Sequence, residues 1–166
     1  MPITPFHFGP GAAIHAIAPR RISFLAFCSA NVLIDFEPLY FMITGQYPIH
    51  RFFHTYIGAS VITVITTLIF FAALKLNQKV SLPNLFKWQS LSPLPIWLGA
   101  AIGSYSHIIF DSVMHSDIVP FSPFSKANPL YQLVSLSRLH LFCLYSALFS
   151  LVIIGVSRLL RGNSAG

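Results

Sequence analysis

The chain has 166 residues, of which 55% are hydrophobic and only 8% are charged, and its formal net charge is +6. This composition is typical of an integral membrane protein and argues against a soluble domain. The basic residues are scattered singly or in pairs, which favours anchoring at a membrane surface over a nucleic-acid interface. We therefore expect the lipid bilayer as a partner and no nucleic acid.

In chain order, the first element is an apolar N-terminal segment, 1–21, which Gly9, Pro10 and Gly11 interrupt. We predict a half-helix or a re-entrant segment there. Four apolar stretches follow, each close to the roughly 20 residues that cross a bilayer; they lie at 22–43, 55–74, 94–114 and 139–160. The sequence thus predicts an all-α polytopic membrane helix bundle with about four transmembrane helices, folded as a single integral-membrane domain over residues 1–166.

The basic residues are distributed unequally between the two membrane sides that four successive spans would define. One side has Arg20, Arg21, Lys75, Lys79, Lys87, Arg158 and Arg161, and the other has Arg51, Lys126 and Arg138. The positive-inside rule places the richer end, and the C-terminus with it, in the cytoplasm. The loops at 45–54 and 115–138 are then expected at the outer face, and both contain histidine.

All four acidic residues of the chain, Asp35, Glu37, Asp111 and Asp117, lie inside or at the edge of apolar stretches. An ionisable residue within a span marks a functional site by default, because burying it in lipid is costly. At 1.5 Å per helical residue, Asp35 and His107 both lie about 20 Å above the cytoplasmic ends of their spans. His7 would reach a similar height, so three segments are predicted to bring polar groups to one layer.

Spacing indicates which of these groups share a helix face. His107, Asp111 and His115 recur at intervals of four, as do Asn31 with Asp35 and His50 with His54. Mixed imidazole and carboxylate sets suit zinc, manganese or iron, and zinc is the expected ion. The predicted metal ligands are His7, Asp35, His50, His54, His107 and Asp111.

Two further residues are predicted to act in catalysis. Glu37 is the candidate general base, and Arg51 is a candidate for stabilising a phosphate or an oxyanion. The roles of His15, His115, Asp117 and His140 stay open, since His15 and His140 suit interfacial or interhelical hydrogen bonds and Asp117 suits a solvated loop.

The order of these motifs resembles that of a known family. His7 comes first, followed by Ile34-Asp35-Phe36-Glu37, by His50-Arg51-Phe52-Phe53-His54, and by Ser106-His107-Ile108-Ile109-Phe110-Asp111. The pattern is similar to that of the bacterial inner-membrane metal-dependent hydrolases, also called LexA-binding, inner membrane-associated hydrolases. Ile34 replaces the family's proline, Glu37 its second aspartate and Phe52 its glycine, and the His-Arg element is one residue shorter.

The resemblance implies a multi-pass protein of the bacterial inner membrane that uses a metal-activated water to hydrolyse a phosphoester or lipid-like substrate. Its site would lie nearer the periplasmic face. Two alternatives from other classes stay open. One is a small ion- or proton-coupled transporter in which the same groups form a relay, and the other is a non-catalytic membrane scaffold whose buried polar groups fix helix register.

Overall fold

The structure, a computed structural model, describes residues 4–162, and these are helical with no strand. A short 3-10 helix at Thr4–His7 leads into the first of six α-helices, and a second one, Leu85–Ser90, precedes the fifth. The α-helices are α1 (Phe8–Ile17), α2 (Phe24–Ile34), α3 (Phe36–Ile43), α4 (Tyr56–Asn77), α5 (Pro93–Met114) and α6 (Leu136–Gly162). The predicted all-α fold class is confirmed for this part of the chain.

Three of the helical stretches are long and apolar enough to cross a membrane. They are Phe24–Ile43, which comprises α2 and α3, then α4, and then Leu136–Leu160 of α6. The remaining predicted span, 94–114, forms the 22-residue helix α5. Its hydropathy does not place it with the other three, because serine, His107 and Asp111 interrupt its apolar face. Large apolar side chains are exposed along α4 and α6, as expected for surfaces that face lipid.

The first predicted span is broken at Asp35, which ends α2 and precedes α3. Pro38 explains this break, because proline has no backbone N–H and so cannot donate to the carbonyl of Ile34 four residues earlier. The carboxylate of Asp35 consequently lies at a junction between two short helices rather than on the side of a continuous one.

The N-terminal segment forms a ten-residue helix, α1, about 15 Å long and half the thickness of a bilayer core. The predicted interruption at Gly9, Pro10 and Gly11 is wrong, since all three lie in the first turn of α1. Proline is tolerated in a first turn, where its missing N–H has no helical partner. A side chain on Gly9 would strike the backbone of Cys143, so the glycine permits close packing of α1 on α6.

Helices α2, α4 and α5 form the centre of the bundle. A side chain on Gly99 would strike the backbone of Ser23, and one on Gly103 would strike the backbone of Phe27. The close helix approach that this Gly-x-x-x-Gly pair predicts is therefore present, between α5 and α2. It brings the half of α5 that carries His107 against the part of α2 that precedes Asp35.

The opposite end of this bundle is apolar. The Phe70 ring on α4 meets the Trp88 indole edge to face, with ring centroids 5.6 Å apart. Both side chains belong to the buried hydrophobic core, together with Ile96 at the start of α5. We call these three residues the aromatic end.

Candidate metal centre

Four side chains meet at the end of the bundle remote from Phe70. Asp35 comes from the junction of α2 and α3, His54 from the loop before α4, and His107 and Asp111 from successive turns of α5. Each offers one ligand atom, and the four atoms lie within 4.8 Å of one another. The two histidines and Asp111 are buried, whereas 30% of the Asp35 side chain is exposed. We call this set the primary cluster.

The separations within the primary cluster match those around a tetrahedral ion. His107 Nε2 lies 3.2 Å from both Asp35 Oδ1 and Asp111 Oδ2. His54 Nε2 lies 3.8 Å and 3.7 Å from the same two oxygens. A tetrahedral zinc ion with bonds of about 2.0–2.1 Å holds its ligand atoms about 3.3–3.4 Å apart. The cluster therefore fits a divalent cation at its centre with small adjustments of the side chains.

The histidine nitrogens of the primary cluster support this fit. Both ring nitrogens of His54 and Nε2 of His107 are buried and make no hydrogen bond within residues 4–162. Leaving a buried polar atom unpaired costs about 1–3 kcal/mol. Nε2 of His107 is close to two carboxylates but is not in hydrogen-bonding geometry with either of them, which is the arrangement expected of atoms that share an ion.

A hydrogen-bond network behind His107 fixes its tautomer. Asn31 donates from Nδ2 to the carbonyl of Phe27, 2.8 Å away, and so turns its Oδ1 towards His107. Nδ1 of His107 donates to that oxygen at 3.1 Å, which leaves the lone pair of Nε2 facing the cluster. Outer partners of this kind orient metal-binding imidazoles in known sites.

His7 belongs to the same network. Its Nδ1 lies 3.2 Å from Nδ1 of His107, and its Nε2 lies 3.3 Å from Oδ1 of Asp111. The single Nδ1–H of His107 is shared between Asn31 Oδ1 and His7 Nδ1, so His7 carries its own proton on Nε2 and directs it at the Asp111 carboxylate. The structure thus places His7 in the layer shared with Asp35 and His107, as depth counting predicted. Its contacts suit an orienting partner of Asp111, and its role as a ligand stays a prediction.

Glu37 lies behind His54, away from the centre of the primary cluster. Its Oε2 accepts hydrogen bonds from the backbone amides of Arg51 and Phe53, at 3.1 Å and 3.0 Å, and lies 3.6 Å from Nδ1 of His54. The carboxylate therefore anchors the loop that carries His54. The role of Glu37 as a general base stays a prediction, and these contacts favour a positioning role.

A second group adjoins the first. His50, His115 and Asp111 also offer ligand atoms within 4.8 Å of one another, so Asp111 is shared by both groups. The ring of His50 lies 4.5 Å from that of His115 and 4.6 Å from that of His54, between centroids. We call His50, His115 and Asp111 the outer group.

Asp117 holds His50 in place. Nδ1 of His50 donates to Asp117 Oδ1 at 2.9 Å, and Oδ2 accepts from the amides of Ile49 and His50 at 3.2 Å and 3.3 Å. Burial alone would raise the pKa of Asp117, but the hydrogen bonds from His50 outweigh it and hold that pKa below its usual value. Burial, together with the neighbouring His54, lowers the pKa of His50 and so favours the neutral ring.

Arg51 is engaged elsewhere. Its guanidinium carbon lies 3.6 Å from the centroid of the Phe41 ring, and it donates to the Pro48 carbonyl and to Oε1 of Gln46. These contacts are with α3 and with the loop that follows it, and not with the primary cluster. The predicted role of Arg51 in stabilising an anion is untested.

Sequence reasoning left open several residues that the structure brings to the site, namely Asn31, His115 and Asp117. The four-residue spacings in the sequence placed Asn31 with Asp35 and His115 with Asp111, so the signal was present for those two. Only long-range folding pairs Asp117 with His50. His15 and His140 lie outside both groups: Nδ1 of His15 lies 3.0 Å from the carbonyl of Ile22, and the ring of His140 stacks on Phe6.

No protein-family model, curated protein or solved structure matches this chain.

Proposed function

We propose that this chain is a membrane-embedded metalloprotein that binds a divalent cation, most simply zinc, in the primary cluster and acts as a metal-dependent hydrolase. One observation carries the metal site: the four ligand atoms of Asp35, His54, His107 and Asp111 lie within 4.8 Å of one another, and His107 Nε2 lies 3.2 Å from both carboxylates. The unpaired buried nitrogens of both histidines support it. Aspartate oxygen and imidazole nitrogen are also ligands that manganese and iron accept.

The remaining residues prepare the cluster for this role. Asn31 keeps Nε2 of His107 free of a proton, His7 donates to Asp111, and Glu37 anchors the loop before His54. Solvent would reach the centre beside Asp35, whose side chain is partly exposed. When bound, a divalent cation lowers the pKa of water towards about 7 and so provides a nucleophile at neutral pH.

A phosphoester or lipid-like molecule is the proposed substrate class. The motif order shared with the inner-membrane metal-dependent hydrolases points to it. The membrane setting agrees, because Asp35 lies within one long apolar stretch and His54 just before another, so a lipid substrate would reach the site from the bilayer. Arg51 lies one loop away and would need to leave Phe41 to contact an anionic group.

The proposed location is the inner membrane of a bacterium, with the metal centre towards the periplasm and the C-terminus in the cytoplasm. The charge asymmetry supports this orientation. Lys75 and Lys79 lie at and just beyond the end of α4, remote from His54, and Arg158 lies near the end of α6. The positive-inside rule places such residues in the cytoplasm.

An ion-coupled transporter, the main alternative, needs a polar path through the bundle. Buried hydroxyl groups do lie between the cluster and the aromatic end. The hydroxyls of Thr63 and Ser104 are hydrogen-bonded to each other at 2.7 Å. The path meets Phe70 and Trp88, whose rings pack against each other in the core of the aromatic end. This apolar barrier favours the hydrolase over the transporter.

Metal content of the full-length protein, purified in detergent and loaded with zinc, tests the metal site. Elemental analysis should find bound zinc at or above one equivalent in the wild type and a loss of at least one equivalent in His107→Ala. His15→Ala is the matched control, since His15 bonds to Ile22 outside the cluster, and it should retain the wild-type content. Absence of zinc, manganese and iron from the wild type would overturn the metal site and favour the scaffold.

Hydrolysis requires a separate assay. We expect the zinc-loaded protein to cleave bis(p-nitrophenyl) phosphate or phosphatidylcholine in mixed micelles, and a chelator or Asp111→Asn to abolish the reaction. Metal binding without turnover of either substrate would contradict the proposed chemistry and leave the metal site standing. Zinc flux into proteoliposomes that Asp111→Asn abolishes would instead support the transporter.

A further inference from the structure

We propose that the centre holds two divalent cations, the second of them bound by the outer group, with the carboxylate of Asp111 bridging the two. This inference rests on the proposed metal site and extends it. Asp111 is the one residue common to both sets of converging ligand atoms. A carboxylate has two oxygens with two lone pairs each, so it can serve two ions and still accept a hydrogen bond.

The positions of the imidazole rings fit two adjacent ions. The rings of His50 and His54 belong to different groups, and their centroids are 4.6 Å apart. Paired metal ions in phosphoester-cleaving enzymes lie about 3.5–4 Å apart. Oδ2 of Asp111 faces His107 at 3.2 Å, whereas Oδ1 faces His7 at 3.3 Å. Both oxygens of Asp111 therefore contact imidazoles, and one of them also lies within 4.8 Å of ligand atoms of His50 and His115.

His50 is held in the same way as the histidines of the primary cluster. Its Nδ1 donates to Asp117 at 2.9 Å, just as Nδ1 of His107 donates to Asn31 at 3.1 Å. In both cases the hydrogen bond leaves Nε2 as the nitrogen with a free lone pair. The aspartate is itself fixed by the backbone amides of Ile49 and His50. These hydrogen bonds favour a role for Asp117 in orienting His50 as a metal ligand over a role as a solvated loop residue.

The two groups supply different numbers of protein ligands, and this difference indicates different roles for the two ions. The primary cluster supplies four protein ligands, which fill the coordination sphere of a tetrahedral zinc ion. The outer group supplies three, and three protein ligands with an open fourth position are typical of catalytic zinc. His115 is partly exposed, so solvent reaches this side. The outer ion is thus the one placed to take substrate, and the pair favours a phosphoester.

The test is the stoichiometry of zinc in the full-length, detergent-purified protein after gel filtration removes the excess. Wild type and the control His15→Ala should carry two equivalents, and His115→Ala should carry one. Loaded with manganese, the wild type should give an exchange-coupled electron paramagnetic resonance signal, and His115→Ala the signal of isolated ions. Asp117→Asn should weaken the second binding step by about 10–100-fold and leave the first unchanged.

The outcomes separate the two proposals. One equivalent in the wild type, retained in His115→Ala and removed in His107→Ala, would overturn the second ion while the primary site stands. Two equivalents retained in His115→Ala would also overturn the outer group as the second site. No zinc in the wild type would overturn both. His115 lies just beyond the end of α5 and is partly exposed, and a monodisperse elution profile checks that the variant folds.

Discussion

The two ends of the α2–α4–α5 bundle are built by opposite means, and α5 contributes residues to both. At the aromatic end, Phe70 packs on Trp88, and both belong with Ile96 to the buried hydrophobic core. At the other end, three helices and a loop bring buried histidines and carboxylates together. The apolar packing at the aromatic end needs no explanation other than its contribution to stability. The polar end costs stability unless something satisfies its unpaired nitrogens, so it is where function is expected.

Asp111→Asn should have the largest effect, with a large loss of metal affinity at the polar end and little loss of folded structure. It removes the charged ligand shared by both groups, so metal affinity should fall by more than the roughly 100-fold that follows loss of an outer partner. Competition with a chromogenic zinc chelator measures this. The helical signal in circular dichroism should persist, because the amide keeps the shape of the side chain. Unchanged affinity would remove Asp111 from the site.

Phe70→Ala should lower the stability of the protein and leave its zinc binding unchanged. Phe70 is 6% exposed and packs on Trp88, so truncation should lower the free energy of unfolding by about 3 kcal/mol. Denaturation in mixed detergent micelles measures the loss. Zinc content per folded chain should equal that of the wild type. A loss of zinc without a loss of stability would mean that the two ends are not independent.

Gly103→Ala should affect both properties to a smaller extent. The added methyl group would meet the backbone of Phe27 and force α2 from α5, which separates Asp35 and Asn31 from His107. We expect a loss of about 1–3 kcal/mol in stability, together with weaker zinc binding. Gly155→Ala on α6 is the matched control, because nothing lies within 4 Å of its added methyl group. Equal effects of the two substitutions would contradict the close approach of α2 and α5.

Arg51→Ala should have the smallest effect. Its stacking on Phe41 is a cation–π contact, for which about 0.5–1 kcal/mol is usual at an exposed site. Zinc content should stay at the wild-type level, as measured by elemental analysis. A large fall in turnover with zinc retained would show that Arg51 leaves Phe41 and contacts the substrate.

Much of the candidate site could be predicted from the sequence, because helical rise and four-residue spacing are local rules. Depth counting placed Asp35 and His107 in one layer, and the two side chains lie 3.2 Å apart. Local rules failed where the chain departs from a regular helix. Pro38 breaks the first span at Asp35, while the first turn of α1 tolerates Gly9 and Pro10.

Long-range pairing explains the remaining differences. Glu37 was predicted to act as a general base, but its carboxylate accepts hydrogen bonds from the amides of Arg51 and Phe53, in the loop before α4. Asp117 meets His50 across 67 residues of sequence, which no periodicity could indicate. The sequence therefore predicts which residues share a layer, and only the fold shows which of them face its centre.

X-ray absorption at the zinc edge of the zinc-loaded, full-length protein tests the central claim most directly. The account predicts a first shell of nitrogen and oxygen at about 2.0–2.1 Å, with the multiple-scattering pattern of imidazole rings, and loss of part of that pattern in His107→Ala. Sulfur scattering at about 2.3 Å, or a shell without imidazole, would contradict it.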